Sequence, residues 1–356
     1  MDKLLELLGK YNCQLKRESD SMADFFQLNF EMYIKDLSES LDVIDNPLVG
    51  SEMCKMVKNN MDEIKNNADK IVDVLRLYNE GKIVEASIKA FEVFDVMKPQ
   101  LMQRYSGAFH KENYFRIRSM DNSMFPLERK ELFHIPFKKN YLVGTERYSM
   151  PGYPCIYLAS QPELAWYECG KPEKFAIARF SIPQEEDDCF KFIDFSENLN
   201  LLKYSFVSWF YNEQDKALVR KYLLKNLYTY PLRAACSVEV EYKGAKFIEE
   251  YIISQLLLQW LRNDEDFDGI RYRSCSELGD VKSLGGYNVV LATKCFDKDG
   301  YDIRLRNCIK VGLPKKYDVN KLNCSQKLET LPQEKDIKSN PFLWEMESIS
   351  IDFKKI

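Results

Sequence analysis

The stretch Cys155-Ile-Tyr-Leu-Ala-Ser-Gln-Pro-Glu-Leu-Ala-Trp-Tyr-Glu168 places a short apolar run directly before a segment with helical features. Residues 155–159 have the length and apolar character of a buried strand. Pro162 suits the first turn of a helix, because the N–H that proline lacks has no intrahelical partner at that position. The sequence therefore predicts a strand followed at once by a helix that carries the carboxylate of Glu168.

An arginine stands upstream of this strand, within Gly144-Thr-Glu-Arg-Tyr-Ser-Met-Pro-Gly152. Arg147 before the strand and Glu168 after the turn can reach one pocket. A guanidinium binds phosphate through charge-assisted hydrogen bonds, and a carboxylate stabilises a developing positive charge. The two residues therefore predict a site for a ligand with a phosphate at one end and a reacting centre that becomes cationic at the other.

Around this stretch, short aromatic and β-branched runs alternate with Pro and Gly from about Tyr114 to Phe296. These runs predict strands over residues 114–117, 175–182, 190–194, 236–241 and 287–292. Two predicted helices interrupt them, over residues 162–169 and 248–262. Because helices and strands do not alternate regularly, a mixed α+β domain is favoured over a doubly wound parallel sheet.

The first hundred residues have a different sequence pattern, in which apolar positions recur at spacings of three and four. Met61, Ile64, Ala68, Ile71 and Val74 form one such stripe, which predicts a helical bundle. Lys98-Pro99 is expected to kink or restart its last helix. The predicted domains are a helical domain over residues 1–110, an α+β domain over residues 111–300 and a polar C-terminal extension over residues 301–356.

Composition excludes several classes of function. The chain has 356 residues, with 51 basic against 55 acidic side chains and a net charge of -4. It has no long run of one sign, which argues against nucleic-acid or polybasic membrane binding. No apolar run is long enough for a membrane span and no secretory signal is present, so a cytoplasmic location is expected. The 10 cysteines stand as singles and only 2 histidines exist, which disfavours disulfides and a metal centre.

Five motifs stand out between Tyr114 and about Phe296. They are Tyr114-Phe-Arg116, Gly144-x-x-Arg147-Tyr-Ser-x-Pro-Gly152, Tyr157-Leu-Ala-Ser-x-Pro-x-x-Ala165-x-x-Glu168, Glu250-Tyr-Ile-Ile-Ser-Gln255 and Asp268-Gly-Ile-x-Tyr-x-Ser274 with Asn288 beyond it. Together they resemble the RES domain, a family named for its Arg, Glu and Ser and best known as toxins of bacterial toxin-antitoxin pairs. In place of the proline that this family often has before the serine, this chain has Arg273.

The resemblance implies a fold similar to ADP-ribosyltransferase toxins and an activity that consumes NAD+ as a substrate, with no further cofactor. Glu168 is then the carboxylate that stabilises the oxocarbenium-like ribose as nicotinamide leaves. Arg116 and Arg147 are expected to bind the pyrophosphate through planar guanidinium groups. Ser274 is expected to hydrogen-bond the nicotinamide ribose or a neighbouring catalytic side chain.

Two tyrosines complete the predicted site, since Tyr148 and Tyr157 can stack on nicotinamide or orient the ribose. Three functions stay open at this point. The favoured one is an NAD+ glycohydrolase or phosphorylase that acts in toxin-antitoxin or antiphage systems. The others are a mono-ADP-ribosyltransferase that modifies a protein and a non-catalytic binding module. Expected partners are NAD+, an antitoxin or regulatory protein, and further copies of the chain.

RES proteins with a helical extension resemble proteins that carry a HEPN-like helical domain. Arg104-Tyr-Ser-Gly-Ala-Phe-His110 has the arginine-to-histidine spacing of HEPN ribonucleases. Ser106-Gly107 interrupts this segment, and the usual polar residue after the arginine is missing. A bundle that regulates the catalytic domain or forms oligomers is therefore favoured over a nuclease.

Overall fold

The computed structural model describes residues 2–103, 113–120, 128–182, 190–212, 216–242, 244–275, 286–319, 349 and 351–356. The chain forms two compact units. The first contains residues 1–109, 146–148 and 193–260, and the second contains residues 110–145, 149–192 and 261–356. The sequence-based domain boundaries stay predictions, and the units group the chain differently because residues 193–260 join the N-terminal helices.

Helices build the first unit. Four come from the N-terminal part of the chain: α1 (Lys3–Lys10), α2 (Met22–Glu39), α3 (Gly50–Asn79) and α4 (Ile83–Leu101). The predicted apolar stripe lies on α3, where Ile64, Ala68, Ile71 and Val74 are all buried in the core. The helical interpretation of this region is therefore confirmed. In contrast to the predicted kink, α4 continues through Pro99 and ends two residues later.

Three further helices belong to the first unit: α6 (Leu199–Asn212), α7 (Lys216–Tyr228) and α8 (Tyr230–Ala235). The prediction that only two helices interrupt the strands is therefore wrong. The predicted strand over residues 236–241 is also wrong, since this segment forms one isolated bridge, Leu15↔Val238. Its carbonyls have other partners, because the Arg147 guanidinium donates to the oxygens of Cys236 and Val238.

The second unit is built on a sheet. Its strands are β1 (Asn113–Ser119), β2 (Cys155–Ala159), β3 (Lys174–Ser181), β5 (Gly269–Tyr272), β6 (Asn288–Ala292), β7 (Lys310–Val311) and β8 (Lys315–Asp318). Strand β4 (Phe192–Phe195) belongs to the first unit except for Phe192. Within the second unit the strand order is β5-β6-β2-β1-β3-β7, and β8 also pairs with β3. Helix α5 (Pro162–Glu168) directly follows β2, as predicted, and α9 (Ile252–Asn263) precedes β5. The predicted α+β class is confirmed.

Both faces of this sheet are buried. Tyr114 and Leu158 belong to one apolar cluster, whereas Phe115, Ala159 and residues of α5 belong to a second cluster. Successive side chains of a strand point to opposite faces, so neighbours such as Tyr114 and Phe115 fall into different clusters. Burial on both sides explains why the strands are apolar runs rather than alternating patterns.

The C-terminal segment contributes to the sheet. Helix α10 (Ile303–Cys308) leads to β7, and β8 pairs with β3 from Lys315 to Asp318. Residues 315–318, which the sequence analysis placed in a polar C-terminal extension, thus form a strand of the sheet. The strand looks polar because most of its side chains are only half-buried, while Tyr317 is buried and stacks on Phe175 with ring centroids 5.4 Å apart.

Gly269 begins β5 at a point where the next strand approaches closely. A Cβ atom at this position would overlap the carbonyl oxygen of Val290 and press on Leu291 and Phe192. We expect Gly269→Ala to lower the free energy of unfolding of the second unit by about 2 kcal/mol or more, because the obstacle is backbone. Chemical denaturation measures the effect. Gly144→Ala is the matched control, since nothing lies within 4 Å of its added Cβ, and an equal loss in both variants would contradict the expectation.

Candidate functional site

The register of the sheet places one residue from each of five strands in a single row. Tyr272 of β5 pairs with Asn288 of β6, and Asn288 pairs with Ala159 of β2. Ala159 pairs with Phe115 of β1, and Phe115 pairs with Arg179 of β3. Because paired residues of antiparallel strands share a face, this row points to the face that α5 covers. Four of the predicted site residues lie next to members of this row: Arg116, Tyr157, Glu168 and Ser274.

Strands β1 and β2 separate beside the row. In the described chain they pair at a single position, Phe115↔Ala159, whereas β1 pairs with β3 from Asn113 to Ser119. Residues of β1 after Phe115 therefore leave β2 and follow β3. This divergence opens the sheet next to Arg116, the first residue beyond the shared pair.

Arg116 is a half-buried cation held by main-chain oxygens. Its Nη1 donates to the carbonyl of Leu132 at 3.1 Å and to that of Phe133 at 2.6 Å. Burial, with a smaller contribution from the guanidinium of Arg118, lowers the pKa of Arg116 to about 10, while Cys169 opposes the shift. The guanidinium thus remains charged at neutral pH, and it lies near the residue that follows Glu168.

His134 stabilises the turn that holds Arg116. Its Nε2 accepts a hydrogen bond from the main-chain N–H of Asp302 at 2.9 Å, so its Nδ1 carries the proton that is shared with the carbonyl of Ile135 at 2.8 Å. Burial lowers the pKa of His134 to about 4. The ring is therefore neutral near pH 7 and acts as a structural linker between two segments of the second unit.

The carboxylate of Glu168 is exposed at the end of α5 and has a defined partner. Its Oε1 accepts a hydrogen bond of 2.8 Å from Nδ2 of Asn288. Asn288 is only 4% exposed and is fixed by its pairing on both sides in β6. A solvent-accessible carboxylate whose orientation is set by a buried amide is suited to stabilise a cation on a bound ligand.

Arg116 and Glu168 approach the opening from different faces of the sheet. Arg116 follows Phe115, so its side chain points away from the α5 face, whereas Glu168 contacts Asn288 on that face. They form neither a hydrogen bond nor an ion pair among the described residues. A charged group is therefore available on each side of the place where β1 leaves β2.

Two more predicted residues lie in the second unit. Tyr157 of β2 is half-buried, and its hydroxyl is 2.8 Å from Oγ of Ser149. Ser274 is buried and follows Tyr272, the end of β5 and the partner of Asn288, by two residues. Ser274 thus lies just beyond the row on the β5 side.

The remaining predicted residues, Arg147 and Tyr148, belong to the first unit. The Arg147 guanidinium lies over the ring of Tyr251 at 5.1 Å, and its Nη2 donates to the carbonyl of Val238 at 2.9 Å. Tyr148 is fully buried. The roles that the resemblance implies for these two residues, a phosphate contact and ring stacking, stay predictions. The segment from Arg104 to His110 lies outside the described residues.

Two residues of this region, Asn288 and Arg118, have no role that the sequence pattern predicts. Asn288 stood at the end of the family pattern, and an asparagine directly before an apolar strand was the available signal. Arg118 gave a weaker signal, since a single exposed arginine two residues after Arg116 is unremarkable. Strand pairing and side-chain contacts were needed to place both beside the predicted residues.

The chain was compared with known proteins. No family model matches it, and no solved structure matches it. A protein of Bacillus subtilis (strain 168) named "Putative toxin YopC" is 29% identical over 222 residues, which are 60% of this chain and 49% of that protein. The chain thus spans about half the length of this relative. Within the described residues, every helix is too short or too polar to cross a bilayer.

Proposed function

We propose that this chain is a toxin that consumes NAD+ by cutting the bond between nicotinamide and ribose. The relative named as a toxin supports the general class. One observation carries the specific chemistry: Glu168, oriented by Asn288, lies on one side of the opening between β1 and β2, and Arg116 lies on the other. This arrangement offers a carboxylate to a sugar carbon and a guanidinium to a phosphate.

Breaking the bond to nicotinamide requires no proton transfer by the protein. Nicotinamide leaves with the electron pair of its bond to ribose and becomes a neutral molecule, while positive charge builds on the ribose. The carboxylate of Glu168 stabilises that charge, and its hydrogen bond to Asn288 holds it in place before the substrate arrives. Neither step requires His134, which agrees with its structural role.

The guanidinium of Arg116 supports the proposed binding of NAD+. In the described residues it has carbonyl partners but no carboxylate. A half-buried cation without a counter-ion is costly, and an anionic ligand offsets that cost. The pyrophosphate of NAD+ is such a ligand, and guanidinium groups bind phosphate oxygens in a planar, charge-assisted way.

Water or phosphate completes the reaction by attacking the ribose carbon, which gives ADP-ribose or its 1″-phosphate. A protein side chain as acceptor would make the chain a mono-ADP-ribosyltransferase. An NAD+-consuming toxin needs a restraint in the cell that makes it. An antitoxin or regulatory protein in the cytoplasm is therefore the partner that we propose.

The test uses the full chain and NAD+ labelled in its adenylate half. Purified protein is incubated with the substrate in the presence and absence of phosphate, and the products are identified by mass spectrometry. We expect free nicotinamide together with ADP-ribose or ADP-ribose 1″-phosphate. Label transferred to a macromolecule would instead indicate the transferase. NAD+ that stays intact both with purified protein and in cells whose growth the chain arrests would contradict the proposal.

A further inference from the structure

A second guanidinium lies beside that of Arg116. Arg118 is two residues further along β1, so its side chain points to the same face of the sheet. Its Nη1 is 3.3 Å from the carbonyl oxygen of Glu131, and Nη1 of Arg116 donates to the next two carbonyls, those of Leu132 and Phe133. The two arginines therefore contact consecutive peptide groups of one turn.

Each guanidinium uses a single nitrogen for these contacts. Among the described residues neither Arg116 nor Arg118 forms an ion pair with a carboxylate, so no negative charge compensates the two cations. The cross-strand positions on β3, where an acidic partner could stand, hold Ala178 and Ala176. On the next strand Lys316 pairs with Ala176 and adds another cation to the same face.

Two neighbouring cations without carboxylates repel each other. Part of this repulsion is visible at Arg116, whose pKa is lowered by burial and then by Arg118. Arrangements of like charge are destabilising unless an anion is bound between them. Arg129 and Lys130, which lie nearby in the chain, differ in that they pair with Asp352 and Glu128. Unlike these two residues, the two arginines of β1 have no carboxylate partner among the described residues.

We propose that Arg118 is a substrate-positioning residue that binds the pyrophosphate of the dinucleotide together with Arg116. The inference rests on the proposed function and names the part of the site that holds the phosphates. A rise of about 3.3 Å per residue separates the two Cα atoms by roughly 7 Å, which two long side chains can bridge to reach adjacent phosphates. Arg118 is exposed and can therefore meet a ligand from solvent.

The experiment compares the full chain with its Arg118→Gln variant by calorimetric titration with ADP-ribose, inorganic pyrophosphate and adenosine. We expect the affinity for ADP-ribose and pyrophosphate to fall about 10-fold, since a charge-assisted hydrogen bond is lost. Adenosine, which has no phosphate, is expected to be unaffected. With NAD+ as substrate, KM is expected to rise by a similar factor while kcat changes little. The affinity of the Arg118→Lys variant for ADP-ribose and pyrophosphate is expected to lie between that of the wild type and that of Arg118→Gln.

Lys130→Gln is the matched control, because it removes one nearby exposed charge that already has a carboxylate partner. Circular dichroism verifies that each variant is folded. Unchanged affinity of Arg118→Gln for ADP-ribose and pyrophosphate would overturn the inference, even if the chain cleaves NAD+. Arg118-dependent binding by a chain that never cleaves NAD+ would support the inference and overturn the proposed function. A wild-type chain that binds neither phosphate ligand would overturn both.

Discussion

Glu168→Gln is expected to reduce kcat for NAD+ cleavage by about 100-fold or more, the effect of losing a preorganised electrostatic stabiliser. Glutamine keeps the size of the side chain and an acceptor oxygen for Asn288, but it carries no negative charge for the developing ribose cation. KM should change little, because the contacts of this side chain that do not depend on its negative charge are retained. Release of free nicotinamide, measured over a range of NAD+ concentrations, separates the two constants.

The control for this variant is Glu173→Gln, which removes an exposed carboxylate a few residues beyond α5. It should leave kcat near the wild-type value. A Glu168→Gln variant that retains more than about one tenth of the wild-type kcat would exclude the role given to the carboxylate. The same substitution should relieve growth inhibition in cells that express the chain.

Asn288→Asp is expected to cause the second large loss, together with a changed dependence of activity on pH. The new carboxylate would lie about 3 Å from Oε1 of Glu168, and two carboxylates at that distance do not both ionise readily. The shared proton removes the charge that the reaction needs. We expect kcat near neutral pH to fall by roughly 10-fold to 100-fold and to recover partly as rising pH removes that proton.

Asn288→Ala distinguishes the charge effect from simple loss of orientation. It removes the hydrogen bond to Glu168 without adding a carboxylate, so kcat should fall less and the shape of the pH profile should match that of the wild type. The measurement is kcat across a pH series for both variants, with folding checked by thermal denaturation. Identical pH profiles for the two variants would show that Asn288 does not act through the carboxylate of Glu168.

The sequence predicted the local structure around Glu168 well, and the physical reason is that this segment is governed by short-range rules. The apolar run of β2 and Pro162 at the start of α5 determine a strand and a helix without reference to the rest of the chain. The α+β class followed from the same local signals. The bundle character of the N-terminal region followed from the periodicity of α3, which is long enough to be unambiguous.

Features that depend on distant segments were not predictable in this way. Helices α6 and α7 carry apolar residues on several faces, and no helical period is visible in their sequence. On α6 large apolar residues such as Leu201 and Tyr204 are exposed, whereas on α7 residues 222–228 are all buried. Pairing of Asn288 with Ala159 depends on strand register, and no local pattern specifies it. For the same reason the contact between Asn288 and Glu168, on which the proposed mechanism depends, became visible only in the structure.

The division of the chain into two interwoven units has a consequence for folding. The polypeptide passes from one unit to the other at residues 109/110, 145/146, 148/149, 192/193 and 260/261. Removing the first 110 residues would take α3 away from α7, including the hydrogen bond from Asn67 to the hydroxyl of Tyr228, and would uncover the side chains of Leu223 and Leu227. The first unit therefore needs residues up to Trp260, and the second also needs residues beyond 260, which include Asn288. A nascent chain would accordingly lack the partner of Glu168 until residue 288 emerges from the ribosome.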